Sequence, residues 1–245
     1  HRNGQTHNGA GEIADREPMG PTCFPAALRY AGYRTALIGK WHEGTRRYPD
    51  HGFEHFEHVF ADPPDIYRDP RFWNGEKPVP HAGFTTDLIA EKSAAWIREH
   101  AGDAAPFLLV CTTIAPHLRI DVPERYANLY EDAEPQRPPS LTDDASGKSK
   151  HTQQGRKWFE SWREKGAPVW SSAPPFTDEQ LRDRMRLCRA IDDCTGSIYA
   201  ALEETGVLDN TVFIYHSDNG FFLGEHGLTE KYYPYEEGIR VPLII

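Results

Sequence analysis

The chain has 245 residues, with 37 acidic against 27 basic side chains and a formal net charge of −10. That sign argues against a general binder of nucleic acid or anionic membranes, so an anionic ligand would need positive charge gathered locally. No apolar run approaches the roughly 20 residues that span a bilayer, and the length suits one large α/β domain or part of one. The chain opens His1-Arg-Asn-Gly4, with no initiator methionine or signal peptide, and stops inside the apolar run Val241-Pro-Leu-Ile-Ile245, which reads as a core strand. A fragment cut at both ends is the expectation.

In chain order, residues 1–20 read as a polar, Gly-rich loop. Phe24 to Ala31 is a short helix with Pro25 in its first turn, ended by Gly32, and Tyr33 to Trp41 is a strand. Residues 43–84 look irregular. The pattern then predicts a helix from Thr86 to His100, with Ile89, Ala90, Ser93, Trp96 and Ile97 as its apolar stripe. A strand follows over Pro106 to Thr113, ending in Ile114-Ala-Pro-His117. Residues 118–176 form a long polar stretch carrying Trp158, Trp162 and Trp170, read as a long loop or insertion that is either a surface feature or a sugar-binding wall. Thr177-Asp-Glu-Gln180 is a capping box opening a helix along Leu181, Met185, Cys188, Ile191, Ile198 and Leu202, which Gly206 ends. Thr211 to His216 then reads as a buried strand whose tip carries Asp218, Asn219 and Gly220, with Lys231 on the same loop system. Helices alternating with strands indicate an α/β fold.

The four cysteines show no metal-type spacing. Cys188 and Cys194 fall on different faces of one helix, and buried free thiols are expected. No Gly-rich phosphate loop, Gly-x-Ser-x-Gly elbow or His-Glu-x-x-His occurs.

Three strand ends carry polar groups: Lys40 with His42, His117, and Asp218 with Asn219. Ligands of parallel α/β sheets bind at such ends. Asp218 and Asn219 offer hard oxygen donors suited to Ca²⁺ or Mg²⁺, although Asp-Asn-Gly alone is a common turn. Lys40 and His42 alternate onto one face of an extended segment, where a lysine holds an anionic oxygen and a histidine shuttles a proton. Alone, they read equally as a solvated strand end. His117 and Lys231 have equally plain readings as a structural histidine and a surface lysine. His216, Glu225 and His226 are read as structural or supporting groups.

The segments Ala31-Gly-Tyr-Arg-Thr-Ala-Leu-Ile-Gly-Lys-Trp-His42, Ala115-Pro-His117, Leu202-Glu-Glu-Thr-Gly-Val-Leu-Asp-Asn210, His216-Ser-Asp-Asn-Gly220, Gly224-Glu-His-Gly227 and Tyr235-Glu-Glu-Gly-Ile-Arg-Val-Pro-Leu243, in this order, resemble the N-terminal catalytic domain of the sulfatases, in the alkaline-phosphatase superfamily. The resemblance implies a three-layer α/β/α sandwich around a mixed, mostly parallel sheet, incomplete at both ends here. The domain would cover residues 1–245. It implies a sulfuric ester hydrolase acting on a sulfated sugar through a metal-assisted covalent mechanism. Asp218 and Asn219 would bind Ca²⁺, with Mg²⁺ as the substitute. Lys40 and Lys231 would hold sulfate oxygens, His42 would help release sulfate from the covalent intermediate, and His117 with Lys231 would protonate the leaving alcohol.

The family's formylglycine, made from a Cys or Ser in Cys/Ser-x-Pro-x-Arg, is expected upstream of His1, as are further metal ligands. Cys23-Phe-Pro-Ala-Ala27 has Ala27 where that motif needs arginine. Without its nucleophile the chain is expected to be inactive by itself. Secretion or a periplasmic location is suggested by the same resemblance. The alternatives are a phosphonate monoester or phosphodiester hydrolase of the superfamily, and a non-catalytic protein that binds sulfated glycans.

Overall fold

The computed structural model describes residues 23–41, 52–59, 66–75, 77–117, 120–166 and 174–245. Residues 1–20, His42 and Trp170, on which the sequence expectations also bear, lie outside the described residues. The chain divides into two compact units. One comprises His1–Ala115 with Ala190–Asn210, the other Pro116–Arg189 with Thr211–Ile245.

The first unit is built on a five-stranded mixed sheet. Its strands are β1 (Arg34–Lys40), β2 (His55–Val59), β3 (Arg71–Trp73), β4 (Pro78–Pro80) and β5 (Phe107–Thr112), ordered β4-β3-β2-β1-β5. β1 pairs in parallel with both β2 and β5, while β3 and β4 add antiparallel edges. The short helix α1 (Phe24–Tyr30) precedes β1, as the sequence predicts. β1 is an apolar run, and its Ala36, Leu37 and Ile38 are at most 2% exposed. Helix α2 (Thr85–His100) buries the whole predicted stripe of Ile89, Ala90, Ser93, Trp96 and Ile97. Each of its two fully buried isoleucines contributes about 1.5–3 kcal/mol. Asp87 in its first turn and Arg98 and His100 in its last complement the helix dipole.

The described residues between 52 and 84 are more ordered than expected, since they supply β2, β3 and β4. These strands are three to five residues long, too short for an alternating pattern to register. β4 carries proline at both ends, which suits an edge strand.

The second unit corrects the expectation of a long loop across 118–176. Helix α3 (Lys150–Lys165) lies within it, capped by the Ser149 hydroxyl, which accepts from Thr152 N. The buried face of α3 is Thr152, Gly155 and Phe159. A single large apolar residue on that face leaves no periodic signal, which is why the stretch reads as loop. Phe159 packs into a core with Phe222, Leu228 and Tyr233, and Trp162 and Tyr235 close its edge.

Helix α4 (Asp178–Glu204) begins at the predicted capping box, with reciprocal bonds from Thr177 N to Gln180 Oε1 (2.9 Å) and from Gln180 N to Thr177 Oγ1 (3.1 Å). Its buried face differs from the predicted stripe. Met185 and Cys188 are exposed, and Arg184 and Arg186 take buried places. Arg186 is satisfied there by Asp183, Glu179 and the Leu129 carbonyl. Carbonyls from neighbouring loops thus set this face, and apolar spacing could not report them. Of the four free cysteines only Cys194 is fully buried.

The run Thr211–His216 is not a buried strand. Only β6 (Tyr215–His216) pairs, antiparallel to β9 (Leu243–Ile244). Val212 and Ile214 are 75% and 54% exposed, and the end of the chain at Leu243, Ile244 and Ile245 is exposed as well. The alternation of an extended chain persists, but among the described residues the only ladder that goes with it is the two-residue β6–β9 pairing. The unit is completed by β7 (Phe222–Leu223), β8 (Thr229–Glu230) and α5 (Glu236–Ile239).

In the first unit, Glu57 of β2 accepts a hydrogen bond from Lys92 of α2 at 2.5 Å, with the His55 ring 3.6 Å away. Burial opposes ionisation of Glu57, yet these two neighbours outweigh it and hold the carboxyl at about 2 against an ordinary 4.5. A folded pKa below the unfolded one stabilises the fold fully above pH 4.5, and the contribution is lost as pH falls through about 2. Glu57→Gln should cost about 1–2 kcal/mol at pH 7. The gap in melting temperature, followed by circular dichroism, should be constant above pH 4.5 and close as pH falls toward about 2. A difference that does not change with pH would contradict the assignment.

Candidate functional site

Lys40 is the last residue of β1, where the strand meets the end of β5. Gly39 has φ +126, and a Cβ there would lie 1.9 Å from the Thr112 carbonyl oxygen. Only glycine permits that approach. The Thr112 hydroxyl then donates to the Lys40 carbonyl at 2.7 Å. The lysine is thereby held at the C-terminal edge of the parallel strands, partly exposed. His117 lies five positions beyond the end of β5, half-buried in a turn of the second unit.

In the second unit, β6 runs into the Asp218–Asn219 turn. Asp218 Oδ1 accepts from Asn219 N at 2.9 Å, and Asn219 Nδ2 donates to the Gly220 carbonyl at 2.7 Å. Ser217 Oγ donates to the Asn219 carbonyl at 2.8 Å. The segment is thus a turn, and the turn itself presents two oxygens, Asp218 Oδ2 and Asn219 Oδ1, as acceptors. Gly220 anchors it. Its N–H donates to the Gly238 carbonyl at 3.0 Å, and a Cβ there would lie 2.0 Å from the Glu237 carbonyl oxygen.

Lys231 emerges from the same end of a hairpin that the turn enters. β7 and β8 pair antiparallel, Phe222 with Glu230 and Leu223 with Thr229, so Asn219 lies just before the hairpin and Lys231 just after it. Glu230 is 5% exposed and holds φ +69, a conformation that costs energy outside glycine. Among the described residues no hydrogen bond or ion pair engages the Lys231 ammonium. The structure therefore brings Asp218, Asn219 and Lys231 to one end of one hairpin. Among the described residues no group of three His, Cys, Asp or Glu side chains is arranged to hold a metal.

Between β7 and β8 the loop is heavily tied. Glu225 Oε2 accepts from Leu223 N at 2.6 Å. His226, at φ +56, places Nδ1 2.9 Å from Asp143 Oδ2, and its ring lies 4.7 Å from that of Tyr235. Asp143 also accepts from Lys148 at 2.9 Å and faces Arg156 at 3.4 Å. Burial works against this carboxylate, but the bonds from His226 and Lys148 outweigh it and hold its pKa below the usual range. His226 and Glu225 are thus both engaged in bonds that tie this loop. Among the described residues the hydrogen bond of His216 is local, with Nδ1 3.1 Å from the Ser217 carbonyl. Asp143 escaped sequence reading because its partner His226 lies 83 positions away, and no spacing links them.

The family model for sulfatases matches residues 1–245. An N-acetylglucosamine-6-O-sulfatase of Bacteroides thetaiotaomicron is 29% identical over 100% of this chain and 51% of its own length. An arylsulfatase of Volvox carteri is 30% identical over 91% of this chain and 37% of its own. The chain thus spans about half, or less, of these relatives. Among solved structures, a protein in complex with its substrate D-glucosamine-2-N,6-O-disulfate superposes with a TM-score of 0.74 at 25% identity, covering 96% of this chain and 58% of that one.

The Gly39 contact gives a direct test of how Lys40 is placed. Gly39→Ala should cost about 3 kcal/mol through both the clash and the unfavourable φ. Gly147→Ala, where a Cβ meets nothing within 4 Å, should stay within about 0.5 kcal/mol of wild type. Equal denaturant midpoints for the two variants would contradict this account.

Proposed function

Because the chain belongs to the sulfatase family, we propose that it works in a sulfuric ester hydrolase acting on a 6-O-sulfated glucosamine or a closely related sulfated sugar. The observation that supports the reading is the β7–β8 hairpin, which Asp218 and Asn219 precede and Lys231 follows. Support for the sugar comes from the relative named as an N-acetylglucosamine-6-O-sulfatase and from the similar structure bound to a glucosamine disulfate.

Asp218 and Asn219 fit a hard cation. Both offer oxygen, and the hydrogen bonds already made by Asp218 Oδ1 and Asn219 Nδ2 leave one acceptor on each side chain. Two oxygens are a share of the roughly six to eight that calcium takes, and Mg²⁺ would accept the same atoms. When bound, the ion supplies charge that polarises the ester oxygens. Lys231 holds a sulfate oxygen and offsets the negative charge that grows as the ester bond breaks. Lys40 does the same from the tip of β1. His117 donates a proton to the departing alcohol, and His42 assists release of sulfate.

Cys23 opens α1, and Ala27 stands where the formylglycine motif requires arginine, so the residues present do not fit that group and no step is assigned to Cys23. No helix among the described residues is long and apolar enough to cross a membrane. A secreted or periplasmic location is proposed from the family.

The full-length protein should turn over an aryl sulfate with a kcat/KM well above that for the matching aryl phosphonate. Lys231→Ala should lower the sulfate value about 10²–10³-fold, the usual cost of removing a donor aimed at developing charge. Dominant phosphonate turnover would overturn the sulfatase reading, and a Lys231→Ala variant of wild-type activity would remove the lysine from the site.

A further inference from the structure

We propose that His226, held by Asp143, is a positioning residue that sets the two working parts of the second unit, the Lys231 arm and the Asp218–Asn219 turn. The inference rests on the proposed sulfatase chemistry and extends it to groups that touch neither metal nor substrate.

His226 sits at the centre of the link that joins β7 to β8. Its main chain holds φ +56, which few side chains other than glycine adopt without support. The support is dense. Its backbone N–H donates to Ser140 Oγ at 3.3 Å, its Nδ1 lies 2.9 Å from Asp143, and its ring lies tilted with its centroid 4.7 Å from that of Tyr235. Five residues on, the chain reaches Lys231 through a second unfavourable φ, at Glu230. A loop carrying two such conformations relaxes unless it is pinned, and His226 is the pin nearest its middle.

The second nitrogen of the same ring faces α5. His226 Nε2 is 3.9 Å from the Glu237 carboxylate. The backbone carbonyl of Glu237 is the atom that a side chain at residue 220 would strike, and the next residue, Gly238, accepts from Gly220 N. Helix α5 is therefore the wall against which the Asp218–Asn219–Gly220 turn is seated. One imidazole, with Nδ1 2.9 Å from Asp143 and Nε2 3.9 Å from Glu237, thus lies between the lysine arm and that wall. Asp143 is itself fixed by Lys148 and Arg156, and Tyr235 is fixed by a 2.9 Å hydroxyl bond to Thr152. The pin is thus anchored in the segment that precedes and opens α3. This gives residues 143–156 a role in the site without a contact to substrate.

The test uses the full-length enzyme. His226→Ala should lower kcat at least 10-fold with KM changed less than about 3-fold, and should weaken Ca²⁺ binding measured calorimetrically at least 5-fold. His226→Asn, whose amide nitrogen takes the place of Nδ1 and can donate to Asp143, should recover most of both. Asp143→Asn should fall between the two. Variants that keep wild-type kcat and Ca²⁺ affinity would overturn the proposal, even if their melting temperature falls, because that is the result of a purely structural role. Were the wild type to hydrolyse aryl phosphonate rather than aryl sulfate, the sulfatase reading would fail by itself. The same variants compared on the phosphonate would then still decide the positioning role.

Discussion

The approach of β1 to β5 at Gly39 is the constraint on which the first unit depends. A parallel pair can bring its strand ends together only where side chains allow, and here the Thr112 carbonyl occupies the space that a Cβ would need. The glycine lets the ladder run to its last residue, and the Thr112 hydroxyl then closes it on the Lys40 carbonyl. Everything earlier in the unit serves this register. The apolar run of β1 buries itself between β2 and β5, and α2 covers the sheet with its isoleucine and tryptophan stripe. The outcome is a lysine at a fixed height on the edge where parallel sheets present ligands.

The second unit solves a different problem. Its working groups lie on short strands and turns, which packing alone does not hold firmly. Stability comes instead from an aromatic core around Phe222 and Tyr233 and from a polar hub at Asp143. A carboxylate facing three cationic or hydrogen-donating partners is costly to desolvate and strongly directional once it is satisfied. That directionality suits a site whose backbone holds two non-glycine residues at positive φ, since strain persists only where the surroundings over-determine it.

Much of this was legible in the sequence, and the parts that were not share a cause. β1, α2 and β5 could be read because long apolar runs and a full helical stripe report burial on one face. The capping box at Thr177 was visible because both of its bonds are local. Helix α3 was missed because its inner face is Thr152, Gly155 and Phe159, and β2 to β4 because they are so short. Residues 211–216 misled in the other direction. Their apolar alternation describes an extended chain, but pairing and cover are supplied by other segments and leave no mark locally. Lys40, His117, Asp218 and Asn219 stood out as polar groups at strand ends, and Lys231 as a lysine on the loop system that follows the last pair. The hub that supports the hairpin did not, because Asp143 and His226 meet only through the fold.

The account turns on whether the Asp218–Asn219 turn is a metal seat as well as a turn. A crystal structure of the full-length protein grown with calcium, with anomalous differences recorded, addresses this most directly. The account predicts a calcium peak within about 2.3–2.6 Å of an Asp218 carboxylate oxygen and of Asn219 Oδ1. A fully occupied calcium ion bound elsewhere, with the Asp218–Asn219 oxygens facing only solvent, would contradict it.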